Sequence, residues 1–465
     1  MKNQSIHFVG VGGVGMGTLA VALSEYGYRV TGSDKALYEP MKSVLANASV
    51  EFMEGYEPSN VEKAKADRVV IGNVTRKENP EVQAWLQSGI DFVSFPEAVR
   101  HYLIQDKKSI VCSGTHGKTS TTSWIAFLLK ELQADPTYLI GGVPRDLDRG
   151  CRVTDGDYFV GEGDEYDSAF FDKGPKFLHY NPYHLIIANI EFDHADIYRD
   201  LEHVKSSFEK VIALLPGNGL CIAHYDDPTV MELVWNAVCP VQTFGVGPGA
   251  MWRMQDLQET SQGFDFEVLY KNRSVGRFQT PMFGEHNLRN ILSGIVSAAN
   301  LGFELDAIRP IVNRFHGARR RQEVLMTEPF VLVDDFAHHP TEVAATLSAV
   351  RRRYADKKIW AFFEPRSATS RRRTHQEGYS KAFGFADEVM IAAPYRAAGS
   401  NPEEEFSPKE LVDSLKASGK SAAAYDSVQP MADRFAKEFR PGDIAVVMSN
   451  GEFDKIQDKL KKAIL

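Results

Sequence analysis

Cysteine is scarce: the 465-residue chain has four, Cys112, Cys151, Cys221 and Cys239, widely spread and without a CxxC pair. That usage argues against a disulfide frame or a cysteine zinc site, and for reduced thiols in a cytoplasmic protein. Long hydrophobic runs are missing as well. The N-terminal MKNQSIHFVGVGG is too short in its apolar part and too rich in glycine for a signal peptide, and no stretch reaches membrane-spanning length. Nor is there an excess of positive charge: 53 Lys and Arg stand against 62 Asp and Glu, a formal net charge of −9. Neither nucleic acid held by a basic surface nor a membrane is therefore expected as a partner. A small anionic ligand must be held by local donors. Internal repeats, low-complexity tracts and heptads are lacking too.

What is present is ordinary globular usage, with 43% hydrophobic and 25% charged residues. At about 150 residues per domain the length implies roughly three domains. Strand and helix signals alternate throughout, and the α/β units divide at 1–105, 106–320 and 321–465.

The chain is organised around SIVCSGTHGKTSTTSWIAFLL, residues Ser109 to Leu129. An apolar strand ending at Cys112 meets a glycine turn, Gly114-Thr115-His116-Gly117, followed by Lys118-Thr119-Ser120 and apolar residues at helical spacing. That order builds a phosphate-binding loop, whose backbone N–H groups and helix N-terminus face an anion. Lys118 would reach the outer phosphates of ATP, and the Thr119 hydroxyl would ligate Mg²⁺. The two framing glycines are closer together than in the GxxxxGK[ST] form.

Ahead of this loop, the strand Ile6–Val9 runs into Gly10-Val-Gly12-Gly13-Val-Gly15-Met16 and a helix, and a second strand ends at Gly32-Ser33-Asp34. This is a dinucleotide fingerprint with an acidic residue about twenty positions on. It would hold NAD, FAD or the diphosphate of another nucleotide. Behind the phosphate loop, Tyr158–Val160 leads to Glu162, and Leu185–Ala188 leads to NIEFDH with His194. Both clusters follow strands, where open α/β sheets bind ligands, and Thr119, Glu162 and His194 suffice for Mg²⁺. Residues Gly219 to Thr280 alternate strands and turns without a chemical signature. His286, Asn287 and Asn290 open a helix on about one face. The run Arg319-Arg320-Arg321 reads either as a solvated turn or as a guanidinium for phosphate. Further on, DDFAHHPTE follows the strand Phe330–Val333, and EPRS follows Ile359–Phe363, placing Asp335 and Arg366 in loops that could face the ATP site.

Taken in order, GxGGxGM, GTHGKT, EGDE, NIEFDH, GEHNxxN, RRxE and DDFAHHPTE resemble the Mur ligase family over nearly the whole chain. The resemblance implies a Rossmann-like N-terminal domain for a UDP-sugar, a central P-loop ATPase domain and a C-terminal Rossmann-like α/β domain for an amino acid or peptide. It gives Gly12, Gly13, Gly15 and Met16 to the UDP diphosphate and Ser33 and Asp34 to the nucleoside, against NAD. It places Lys118 and Thr119 on phosphate and metal, Glu162 and His194 on metal, and His286, Asn287 and Asn290 on the adenine side. Arg320 or Arg321 takes a phosphate, Asp335 the ribose, and His338 joins Lys118 and His194 at the catalytic face. Within the family, EYDSAFFDK with an extra Asp172–Phe177 segment, EFDHADI and EPRSATS resemble members that join L-alanyl-γ-D-glutamyl-meso-diaminopimelate to UDP-N-acetylmuramate. The fingerprint and AHHPTE also resemble members that add L-alanine. An ATP- and Mg²⁺-dependent amide ligase is thus expected, monomeric or homodimeric, with Arg366 gripping a carboxylate of the peptide.

Overall fold

A computed structural model describes residues 4–38, 41–395 and 405–464, and among these the strands form three sheets. The first contains β1 (Ser5–Val9), β2 (Arg29–Asp34), β3 (Val50–Glu54), β4 (Arg68–Ile71) and β5 (Asp91–Ser94), all parallel in the order β3-β2-β1-β4-β5. The strand order reverses beside β1, so the glycine turn leading from β1 into α1 (Val14–Glu25) lies at a topological switch point. Its core includes a polar pair the periodicity did not reveal: His7 Nε2 lies 2.8 Å from Glu81 Oε1, both fully buried. Burial favours the neutral acid, but His7 outweighs it and the Glu81 pKa is lowered.

The second sheet carries the phosphate loop. Its strands are β6 (Lys108–Ser113), β7 (Thr137–Leu139), β8 (Cys151–Arg152), β9 (Tyr158–Gly163), β10 (His184–Ile187), β11 (Leu220–His224), β12 (Val241–Gly245), β13 (Trp252–Thr260), β14 (Gly263–Tyr270) and β15 (Arg273–Thr280). Their order is β15-β14-β13-β12-β11-β10-β6-β9-β7-β8. Strands β9, β6, β10 and β11 run parallel, which delivers the loops after all four to one edge. The stretch without a chemical signature is mostly the antiparallel meander β13–β15 at the far end of this sheet.

The third sheet has the order β16-β17-β21-β18-β19-β20, from β16 (Glu323–Met326), β17 (Val331–Asp335), β18 (Ile359–Phe363), β19 (Glu388–Ala392), β20 (Ser421–Tyr425) and β21 (Ile444–Met448). Only β16 pairs antiparallel. Several strands outrun their apolar cores, because parallel pairing continues through polar residues. Cys112 pairs with Glu162 and Asp335 with Met448, so Glu162 and Asp335 sit on strands, not in loops. Among the described residues no helix is long and apolar enough to cross a membrane.

Helix α2 (Lys118–Glu131) begins two residues earlier than its apolar spacing suggests, directly after Gly117. It packs on α3 (Glu285–Asn300), the helix carrying His286, Asn287 and Asn290. The buried Trp124 indole N–H donates to Ile291 O at 3.0 Å, and a Cβ at Gly294 would overlap that indole. Close approach of the two helices therefore requires glycine there. Gly294→Val is expected to wedge them apart and cost about 1–3 kcal/mol, as overpacked cores do. Thermal unfolding checks this: an unchanged midpoint would remove the constraint.

Candidate functional site

The phosphate loop needs both its glycines. Gly114 has φ 131°, and a Cβ there would lie 2.9 Å from Asn189 O; Gly117 has φ 87°, and its Cβ would lie 2.9 Å from Asn290 Oδ1. Asn189, after β10, clamps the loop from the side: its Oδ1 accepts from His116 N at 2.8 Å and its Nδ2 donates to His116 O at 3.0 Å. Lys118 Nζ donates to Gly114 O at 2.7 Å and to Glu165 Oε2 at 2.9 Å. Burial opposes the ammonium, but Glu165 and the nearby acids outweigh it and raise its pKa.

Around this lysine the expected metal ligands converge. Thr119 Oγ1 donates to Glu162 Oε2 at 3.1 Å, and Gly141 N donates to Glu162 Oε1 at 2.6 Å. His194, at φ 55°, brings Nε2 to 3.1 Å from Glu165 Oε1. Burial works against a His194 cation, yet Glu165 and Asp193 raise its pKa. The donor set fits Mg²⁺: a hydroxyl and a buried carboxylate are hard oxygens, and Glu165 is placed to orient the histidine from behind. Glu165 was not singled out from Glu162 in the EGDE motif; nothing in the sequence separates their roles.

Two cavities flank the loop. One, of about 360 Å³, is lined by His286, Asn287, Asn290, Gly117, Ser120, Arg321 and Asp335, which brings the expected adenine, ribose and phosphate residues around one space. His286 Nε2 lies 3.0 Å from Gln322 Nε2, and Asn287 Nδ2 donates to Phe283 O at 2.8 Å, so these side chains are fixed. The other, of about 550 Å³, is walled by residues at the edges of all three sheets: Gly15 beside the first, Thr115, Lys118, Thr119, Glu162 and His194 beside the second, and His338 beside the third. Arg321 lines both. Arg320, at φ 58°, borders the larger cavity too, and donates to Ser449 O at 2.6 Å and Gly451 O at 2.8 Å.

Between the cavities lies a cluster that the sequence did not forecast. His116 sets Nε2 at 3.2 Å from Glu191 and Nδ1 at 3.2 Å from Glu342, a residue of α4 (Pro340–Arg353). Burial favours the neutral ring, but the two carboxylates outweigh it and lift the pKa to about 10. His116, Glu191 and His339 have ligand-type atoms within 4.8 Å of one another. Both nitrogens of the His116 ring are engaged by the carboxylates of Glu191 and Glu342.

The remaining expected residues lie apart from this centre. Asp34 already accepts from Gly12 N at 2.8 Å and Tyr56 Oη at 3.0 Å, and so braces the glycine turn. Ser33 and Met16 face the interior, at 0% and 7% exposure, while Gly12 and Gly13 form the turn surface. Arg366 lines neither cavity; its guanidinium lies 3.5 Å from Glu364 and over the Tyr395 ring at 4.3 Å. All four cysteines are buried and unpaired, and burial pushes the Cys112 thiol up to about 12, as a core residue.

Comparison with known proteins covers each unit. Residues 5–107 match the catalytic domain of the Mur ligase family, 112–298 the Mur ligase middle domain, and 320–451 the Mur ligase glutamate ligase domain. The Escherichia coli K12 UDP-N-acetylmuramate–L-alanyl-γ-D-glutamyl-meso-2,6-diaminoheptandioate ligase is 35% identical, over 98% of this chain and 97% of its own. An Acetivibrio thermocellus UDP-N-acetylmuramate–L-alanine ligase is 32% identical over 99% and 96%. The crystal structure of a murein peptide ligase from Psychrobacter arcticus shares 30% identity, covers 99% of both chains and superposes with a TM-score of 0.71.

The Asp335 carboxylate generates a pH prediction. Burial raises its pKa to about 6, although Arg321 and the Ala337 and Gln322 N–H groups pull the other way. As pH falls through that value the carboxylate gains a proton and loses an acceptor for nucleotide hydroxyls. Nucleotide affinity is expected to weaken on that limb, and Asp335→Asn to be weak throughout and flat across it. Calorimetric titration with ADP from pH 5 to 8 checks this; an acid limb kept by Asp335→Asn would assign it elsewhere.

Proposed function

The chain belongs to the Mur ligase family, ATP-dependent amide-forming ligases that release ADP, and from that premise we propose that it joins L-alanyl-γ-D-glutamyl-meso-diaminopimelate to UDP-N-acetylmuramate in peptidoglycan recycling. The observation that carries the reading is the larger cavity, where residues at the edges of all three sheets line one space with Lys118. The division at 1–105, 106–320 and 321–465 then assigns one substrate to each domain: the UDP-sugar to the turn at Gly12, Gly13 and Gly15, ATP to the centre, and the peptide to the C-terminal side. The 35%-identical E. coli relative, named for that tripeptide, supports this choice.

A lactyl carboxylate is a poor electrophile, so activation must come first. In the proposed sequence its oxygen attacks the γ-phosphorus of ATP, the bond to ADP breaks, and an acyl phosphate forms. The peptide amine then attacks the acyl carbon, and phosphate leaves from the tetrahedral intermediate. Lys118 exchanges Glu165 for phosphate oxygens, and Arg321, open to both cavities, spreads the charge that develops. Thr119, Glu162 and His194 would hold Mg²⁺, which supplies Lewis-acid charge at the phosphates. His338 Nδ1 is 3.1 Å from Phe336 O and 3.2 Å from Glu342, which fixes the N–H on that side and leaves Nε2 to take the amine's proton. Seating of the C-terminal domain shields the acyl phosphate from water. Arg366 is assigned to a carboxylate of the peptide.

Addition of L-alanine alone is the second reading, supported by the 32%-identical alanine ligase. Phosphate release from ATP and UDP-N-acetylmuramate separates the two. Turnover is expected with the tripeptide and not with L-alanine; release with L-alanine alone would reverse the assignment. Arg366→Ala is expected to raise KM for the tripeptide about tenfold or more, the scale of a lost charge-assisted contact. An unaltered KM would remove Arg366 from the peptide site.

A further inference from the structure

In the sequence above Glu342 serves only to orient His338, yet it also touches the phosphate loop and Arg321. Its Oε1 is 3.2 Å from His116 Nδ1 of the phosphate loop and 3.8 Å from an Arg321 nitrogen. Its Oε2 is 3.2 Å from His338 Nδ1 and accepts from His338 N at 3.0 Å and His339 N at 3.4 Å. We propose that Glu342 is a positioning residue of the ligase: its buried carboxylate, carried on the C-terminal domain, holds His116, Arg321 and His338 in register.

The arrangement follows from where the residue stands. Glu342 is the third residue of α4, whose N-cap is His339, and its carboxylate closes the capping box onto the backbone. A cap needs one acceptor and no cationic partners. Here the acceptor meets two imidazoles and a guanidinium as well, and it lines both cavities. Burial opposes its charge, but His338, His116 and Arg321 hold its pKa well below the usual carboxylate range. The partners belong to different segments, and His116 lies 226 positions away in the chain. Thr341 beside it repeats the link, its Oγ1 donating to Glu191 Oε2 at 2.7 Å, so α4 grips both carboxylate and imidazole of the central domain. The phosphate loop is braced when α4 is seated. Phosphoryl transfer and deprotonation of the amine thereby draw on one carboxylate.

The role rests on the ligase reading, and the test separates the two. Glu342→Gln keeps the cap, because an amide oxygen still accepts from the backbone, and removes the charge. Circular dichroism and the unfolding midpoint are expected to stay near the parent's, while kcat with UDP-N-acetylmuramate and tripeptide falls about tenfold or more and KM for the UDP-sugar holds. His116→Asn combined with Glu342→Gln is expected to cost little more than the worse single change, since the two act together. A kcat within about twofold of the parent, or a double variant whose losses multiply, overturns the proposal. Glu342→Asp retracts the charge by one methylene and serves if the glutamine variant does not fold; full activity there overturns it equally. If the parent turns over neither amine, the ligase assignment fails and NMR of the ligand-free protein still decides. The His116 imidazole should remain protonated to higher pH in the parent than in Glu342→Gln, and identical titrations would dismiss Glu342.

Discussion

Buried carboxylates cannot stand unpaired, and that constraint organises the cleft. Glu165, Asp193 and Glu342 have side chains only 2%, 4% and 13% exposed. An uncompensated ion at such depth costs several kcal/mol. Each has basic side chains against it: Lys118 and His194 at Glu165, His194 and His338 near Asp193, and His116, His338 and Arg321 at Glu342. Two of these contacts, His116 with Glu342 and His338 near Asp193, join the edges of the second and third sheets. Charge compensation also stores the site in a ready form. Triphosphate brings new negative charge, and Lys118 needs only to change partners to meet it.

Legibility divided along the same line. The strand, glycine turn and helix at 108–131 were readable because they are contiguous and each is marked by its own residues. The same holds for β18, β19 and β21, whose apolar runs match their strand limits. Helix α2 began earlier than its apolar spacing because Gly117, with its left-handed φ, starts the helix at Lys118 whether or not the first turn is apolar. Ser33 and Asp34 show what one-residue alternation decides: adjacent on β2, one is fully buried and the other reaches the glycine turn.

The choice between Arg320 and Arg321 was open in the sequence, since two adjacent arginines are alike in chemistry. The fold separates them only in part: the Arg320 guanidinium donates to the backbone of Ser449 and Gly451 and borders the larger cavity, while Arg321 borders both. Glu342 was illegible for another reason. A capping glutamate at the third helical position is a sufficient local account of itself, and its remaining partners are distant in sequence. Ion pairs between domains leave no periodicity, so only the fold discloses them.

An acidic chain that consumes anionic nucleotides presents an apparent conflict, and distance resolves it. At physiological ionic strength charges are screened over about 8 Å, so the formal net charge of −9 is scarcely felt inside the cleft. The groups proposed to meet a phosphate there are the turn at Gly114–Gly117, the first turn of α2, Lys118 and Arg321. These donors are held by carboxylates that would otherwise repel it. The acids do not weaken the site so long as each keeps a cation of its own. Glu342, for one, keeps His116 beside it whichever way Arg321 points. On the proposed reading, basic side chains set against the acids, His116 among them, are what let an acidic cleft accept an anion.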